Sequence, residues 1–339
     1  MPKEITHWLI AERAAALLEG SALGDAAAAN PNCLALGAVC QDILYYLPPT
    51  RRYGAYLGLA NTLHGNGGED SFEILRVIAQ TAPSDSERGA WIAFLLGAAS
   101  HIWADFVFHP PVVYLTGDYH ASDSRKCSAV RQAHRRYETL VDLFFFRNRA
   151  HGRVFSVHRF LKELGVFPEL LLSRIYGQLL QRAGASGGDD RRRDTAVSRC
   201  DQLDLVVHRA LRNFSVLQGV GRRRLLSTWL CRLEPMLPTM IREVTALFTG
   251  RQLNRYLPEL EGEIQYQHPV TGVPEAKSLE QLFETTVERT VRLCRRLAPA
   301  ANGAESIDLD EAGPCLALGI PAGGELRATH FQVPPLRFH

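Results

Sequence analysis

Apolar residues recur at three- and four-residue spacing over Ile5 to Leu18, Trp91 to Phe108, Ser128 to Phe146, Val157 to Leu164, Pro168 to Arg182, Thr195 to Leu217, Arg222 to Phe248 and Ser278 to Leu297. That period gathers them on one face of an α-helix, and strand-like alternation is almost absent, so the pattern predicts an all-α, multi-helix bundle. Thr6 and Ser278 stand where N-caps are expected. Pro110-Pro111 is expected to close the Trp91 helix, because proline lacks the amide donor and crowds the preceding turn. Gly and charge dominate 183–194, which reads as a linker. It separates 1–182, which holds every candidate for chemistry, from a helical region at 195–298 expected to pack on the first. The segment 299–339 has Pro, Gly and few periodic apolar residues, and is expected to be either an irregular strap or mobile.

Composition narrows this picture. With 46% hydrophobic residues in 339, the chain can fill a core and is not a disordered sequence. Lys plus Arg number 38 against 36 for Asp plus Glu, so the net charge of +2 provides no general field for polyanions. A stable nucleic-acid complex is therefore not expected, and an acidic ligand must be held locally. The opening Met-Pro-Lys-Glu-Ile-Thr-His has polar and acidic residues where a secretory signal has a basic start and an apolar run. The longest apolar stretch, Trp91 to Ala99, is about half of the ~20 residues a membrane span needs. A cytoplasmic protein without a transmembrane segment is the expectation. The 7 cysteines are widely spaced without a C-x-x-C pair, which predicts reduced, mostly buried thiols rather than metal ligands.

The candidate chemistry is a set of histidines and carboxylates. His101 and Asp105 are four residues apart, so a helix projects both from one face, one turn apart. His134 and Glu138 repeat the arrangement on the next long helix, and imidazole with carboxylate at this spacing suits zinc. His109 lies two turns beyond His101, just before the proline pair, where the chain can aim it differently. His7 opens the first helix, and two expected loops add Asp42, in Gly37-Ala-Val-Cys-Gln-Asp42, and His64. A metal site between helices is one reading of the set. The other is a buried ion pair at His101 and Asp105 and a solvated helix face at His134 and Glu138 beside Arg135 and Arg136.

The order of these motifs resembles the zinc-dependent phospholipase C family, which is related to single-strand-specific zinc nucleases: an early His, Gly-x-x-x-x-Asp, a lone His, His-x3-Asp, a nearby His, then His-x3-Glu. The resemblance covers about the first half of the chain. It implies two or three zinc ions, with Asp42, His64 and His101 on one, His109, His134 and Glu138 on another, and Asp105 bridging the first to a third ion that includes His7. In secreted relatives the mature N-terminal amine completes that third site; removal of Met1 would offer the amine of Pro2 instead. The Asp105 to His109 interval is shorter than in the secreted members and looks like that of glycosylphosphatidylinositol-cleaving phospholipase D domains.

The implied activity is phosphoester hydrolysis by zinc-bound hydroxide attacking phosphorus, the bound water being acidified towards a pKa of ~7. Asp42 is the candidate proton acceptor. The substrate is expected to be a phosphate ester such as a phospholipid; the alternatives are a nuclease or nucleotidase on the same site, or a non-catalytic protein in which zinc only cross-links helices. Ile43 to Pro49, Phe106, Phe108 and Val112 to Tyr114 are either an apolar rim for acyl chains or bases, or plain core. Arg51-Arg52 and Arg191 to Arg193 either meet phosphate or are solvated charge runs.

Overall fold

The chain winds around one long helix, Arg88–Thr116, whose 18-residue apolar window meets the length and composition of a membrane span but is 89% buried by the rest of the protein. A helix apolar on all sides belongs at the centre of a fold. The computed structural model describes residues 3–81, 84–119, 123–150, 156–185, 202–233, 236–248, 251–301, 307 and 309–338. In chain order its helices are α1 (Glu4–Leu17), α2 (Ala22–Ala29), α3 (Pro31–Gly37), α4 (Gly54–Leu63), α5 (Glu73–Gln80), α6 (Arg88–Thr116), α7 (Ser124–Arg149), α8 (Val157–Leu164), α9 (Phe167–Ala185), α10 (Leu203–Arg222), α11 (Arg224–Leu233), α12 (Thr239–Thr245) and α13 (Leu279–Ala301). The fold is all-α, as the periodicity predicts, with a group of candidate metal ligands between helices.

α1, α2, α3 and α13 pack around α6. The approach of α3 is very close: a Cβ on Gly37 would lie 2.1 Å from the Phe94 carbonyl oxygen, and one on Gly97 would lie 2.2 Å from that of Leu34. Only two glycines facing each other allow this separation. α13 supplies the opposite wall with Leu282, Phe283, Thr286, Val287, Thr290 and Val291, buried at helical spacing. Its start is a capping box, with the Gln281 amide donating to Ser278 Oγ (3.1 Å) and the Ser278 amide to Gln281 Oε1 (2.7 Å).

Several local expectations are corrected. Thr6 is not a cap: α1 begins at Glu4, and both the amide and hydroxyl of Thr6 donate to Asp142 on α7. Pro110-Pro111 does not end α6, which continues to Thr116. The prolines withdraw the donors for the Phe106 and Val107 carbonyls, and the turn around Gly319 packs directly against Phe106 O and Pro110. The helix read over Arg222 to Phe248 is two, α11 and α12, the second entered from an extended Pro238. A hairpin pairs β1 (Glu263–Gln267) with β2 (Pro274–Ser278) in the register Ile264↔Lys277 and Tyr266↔Glu275. With only Ile264 and Tyr266 turned inward, β1 is too short to declare itself by alternation.

Of the expected linker, 186–194 lies outside the described residues, as do 195–201 and Arg191 to Arg193. The segment 309–338 crosses the bundle as an irregular strap: Arg76 holds the carbonyls of Leu309 and Glu311, the Gln332 amide donates to Tyr114 O and the Leu336 amide to Leu115 O. The described free cysteines Cys33, Cys40, Cys294 and Cys315 are buried, and Cys127 is half-buried.

Candidate metal centre

α6 carries His101, Asp105 and His109 on successive turns towards α7 and the turn Cys40–Tyr46. That turn, a 3-10 helix rather than the expected open loop, presents Asp42, while His64 caps the C-terminus of α4. His64 Nε2 lies 3.2 Å from Asp42 Oδ1, 3.3 Å from Asp105 Oδ2 and 3.5 Å from His101 Nε2. His101 Nε2 lies 3.4 Å from Asp105 Oδ2 and 4.0 Å from Asp42 Oδ1. His7, stacked on His101 at 4.4 Å between ring centroids, brings its Nε2 to 3.4 Å from the other oxygen of Asp105, Oδ1. The second group joins His109 to His134 and Glu138, whose Nε2 and Oε1 are 2.8 Å apart. Seven of the eight candidates are therefore gathered into two groups, and His7 adjoins the first through Asp105 and His101. The reading of His134 and Glu138 as a solvated face is not met: their side chains are 12% and 7% exposed.

The donor set fits a cation on three observations. Tetrahedral ligands roughly 2.0–2.1 Å from zinc stand roughly 3.3–3.4 Å from one another, close to the 3.2–3.5 Å that separate His64 from Asp42, Asp105 and His101, and His101 from Asp105. Asp42 Oδ1, both oxygens of Asp105 and both ring nitrogens of His7 are buried without a hydrogen-bond partner, a costly arrangement that a cation relieves. Finally, three imidazoles have their outer nitrogen tied to the backbone: His101 Nδ1 donates to Ala38 O (2.9 Å), His64 Nδ1 to Ala60 O (2.7 Å) and His109 Nδ1 to Leu316 O (2.6 Å). Each bond leaves the Nε2 lone pair facing inward, the usual outer support of a metal-binding histidine.

Electrostatics agree. Burial lowers the pKa of His7, that of His109 to about 3, and that of His134 far below the ordinary imidazole range, so these rings are neutral donors. Burial also works against charge on His64 and His101, yet the carboxylates of Asp105 and Asp42 raise both, His64 to about 10. Burial likewise opposes ionisation of Asp105, but the imidazoles of His101, His109 and His64 hold its carboxyl well below the usual range. Two buried carboxylates thus demand positive charge at this point, from bound protons or from a metal.

Of the apolar rim expected around the site, Ile43, Leu44, Phe108 and Val112 are core. Tyr45 alone of that set is exposed beside a ligand, its hydroxyl 3.5 Å from His64 Nδ1 and bonded to Asn61. Tyr119, which has no helical-spacing signal, sets its ring edge-on to His134 at 5.4 Å. The carbonyls of Ala38, Ala60 and Leu316 also escaped the sequence reading, since a backbone oxygen has no residue-type signature and His64 was expected in a loop rather than at the end of α4. His208 pairs with Glu169 on the surface at 2.7 Å, away from either group.

An all-α frame enclosing two His/carboxylate groups, one with four donors and one with three, defines a protein built around a metal centre. A family model described as zinc dependent phospholipase C matches residues 6–184, just over half of the chain and a span within which all eight candidate ligands lie. The chain belongs to the zinc-dependent phospholipase C family, whose cofactor and hydrolase chemistry these groups support. Neither curated proteins nor solved structures show a significant match to it.

Proposed function

We propose that the protein is a zinc-dependent phosphodiesterase that cleaves on the diacylglycerol side of the phosphate in a phospholipid or a similar ester. The observation that carries this is the second group: His109, His134 and Glu138 offer three donors, whereas Asp42, His64, His101 and Asp105 offer four. A set of three leaves a position for exchange with solvent or substrate. Zinc, when bound, supplies Lewis acidity that neutralises phosphoryl oxygens and acidifies water.

The chain's own groups then divide the work. His109 and His134 remain neutral and donate lone pairs. Asp105, fully buried, faces His7 with one oxygen and His64 and His101 with the other, and would help to hold zinc together with these three imidazoles. Asp42 has its Oδ1 buried while its side chain is 12% exposed, so its free edge meets solvent. It is the carboxylate placed to accept a proton from incoming water, with Tyr45 at the same opening to orient an ester oxygen.

The test is metal content per chain together with hydrolysis of diacyl phospholipid, single-stranded nucleic acid and mononucleotide esters. Two or three zinc ions with release of diacylglycerol support the reading. Bound zinc with cleavage of nucleic acid alone transfers the site to the nuclease branch. Bound zinc with no turnover of any ester leaves a cross-linking metal, and no zinc ends the proposal.

A further inference from the structure

The segment 313–320 lies outside the matched family region, yet it touches both ligand groups. Leu316 is fully buried, and its two backbone groups serve different ligands: its carbonyl accepts from His109 Nδ1 (2.6 Å) and its amide donates to the His64 carbonyl (2.8 Å). The segment is itself held firmly. The Cys315 amide donates to Ile320 O (2.9 Å) and the Gly319 amide to Cys315 O (3.1 Å), closing a turn with Gly319 at φ +64. A Cβ on Gly319 would stand 2.3 Å from Pro110 Cγ, so the turn is seated against the proline pair of α6, one residue from His109. At its other end, the Gly313 amide donates to Asp70 (2.5 Å), and Gly65, next to His64, is packed 3.0 Å (ideal Cβ) from Pro314 O.

We propose that this strap is the orienting shell of the metal centre, and that Leu316 couples the first ligand group to the second through its backbone. Resting on the zinc reading above, the proposal makes Leu316 a positioning residue: its carbonyl fixes the proton of His109 on Nδ1, leaving Nε2 free for the ion. Loss of the acceptor loosens the three-donor group while the four-donor group, supported by Ala38 and Ala60, stays intact.

The test replaces the Leu316–Ala317 amide by an ester through semisynthesis, which weakens the Leu316 carbonyl as an acceptor and keeps every side chain. Zinc and cobalt titrations should show one ion bound 10- to 100-fold more weakly and the remainder unchanged, the scale on which outer supports act. Gly319→Val, which must displace the turn and with it both Leu316 contacts, should instead weaken binding at both groups. Independently of any variant or metal, the ring-nitrogen shifts of His109 in the metal-free wild-type protein should report the Nδ1–H tautomer. An Nε2–H tautomer there, or unchanged affinities in the ester protein, overturns the proposal. A wild-type protein that shows the Nδ1–H tautomer but takes up no zinc overturns the zinc reading instead.

Discussion

Asp105 is one side chain with two neighbourhoods, His7 at one oxygen and His64 with His101 at the other. Asp105→Asn keeps its volume but replaces one oxygen by an amide donor. It should lower zinc content by at least one ion per chain and turnover by more than about 100-fold, with elemental analysis and initial rates as the measurements. Asp142 acts at a distance from the metal ligands. Its carboxylate caps α1 from α7, accepting the amides of Ile5 (3.0 Å) and Thr6 (2.9 Å) and the Thr6 hydroxyl (2.6 Å), and so fixes the turn that bears His7. Burial, with Glu4 nearby, raises its pKa to about 7 despite those donors. A carboxyl raised in the folded state holds its proton after the unfolded chain has released it, so its contribution to stability is full below about pH 4 and declines up to about pH 7. Asp142→Asn cannot titrate; urea melts should show the stability of the variant relative to wild type improving from pH 4 to 7. A constant difference across that range would refute this assignment. Four of the eight candidate ligands, His101, Asp105, His134 and Glu138, were readable because His and carboxylate four apart share a helix face; His7, Asp42, His64 and His109 were readable only through the order of motifs. Asp142 was also readable in principle, being one turn beyond Glu138, but its partners on α1 are backbone amides that no motif advertises.

Among the elements, the α3–α6 contact governs the site most directly. Gly37 and Gly97 let the helices touch, and the next residue after Gly37, Ala38, offers the carbonyl that holds the His101 ring. Gly97→Ala adds a methyl where the Leu34 oxygen would lie 2.2 Å away. Overpacking of this kind costs about 1–3 kcal/mol, so the melting temperature should fall and zinc affinity with it. Gly58→Ala on α4, where nothing lies within 4 Å, should instead be neutral or stabilise by about 0.5–1 kcal/mol. Equal effects at both positions would show that backbone freedom, not helix separation, is the controlling quantity. The long helices and the short α8 were legible from apolar periodicity, whereas α2 to α5, each at most 10 residues, did not stand out by period. The run of α6 past Pro110-Pro111 was not legible either, since the local rule forecasts a break and the segment packed against the prolines comes from far along the chain.

For the molecule as a whole, metal and fold are linked. Stripping the ions leaves buried, unpartnered oxygens on Asp42 and Asp105, so chelation should lower the melting temperature and zinc should restore it. Saturation at about 1,000 times the dissociation constant is worth about 4 kcal/mol for each ion. An unchanged melting curve with chelator would separate the ions from stability altogether. The packing of α13 against α6 has a different consequence, one of timing during synthesis. α6 leaves the ribosome long before α13 exists to cover it, and over that interval a segment with the length and apolarity of a membrane span lacks its opposite wall. Until α13 has been made, the nascent chain should therefore bind chaperones more readily than the finished fold, which a comparison of stalled chains ending before and after α13 would check.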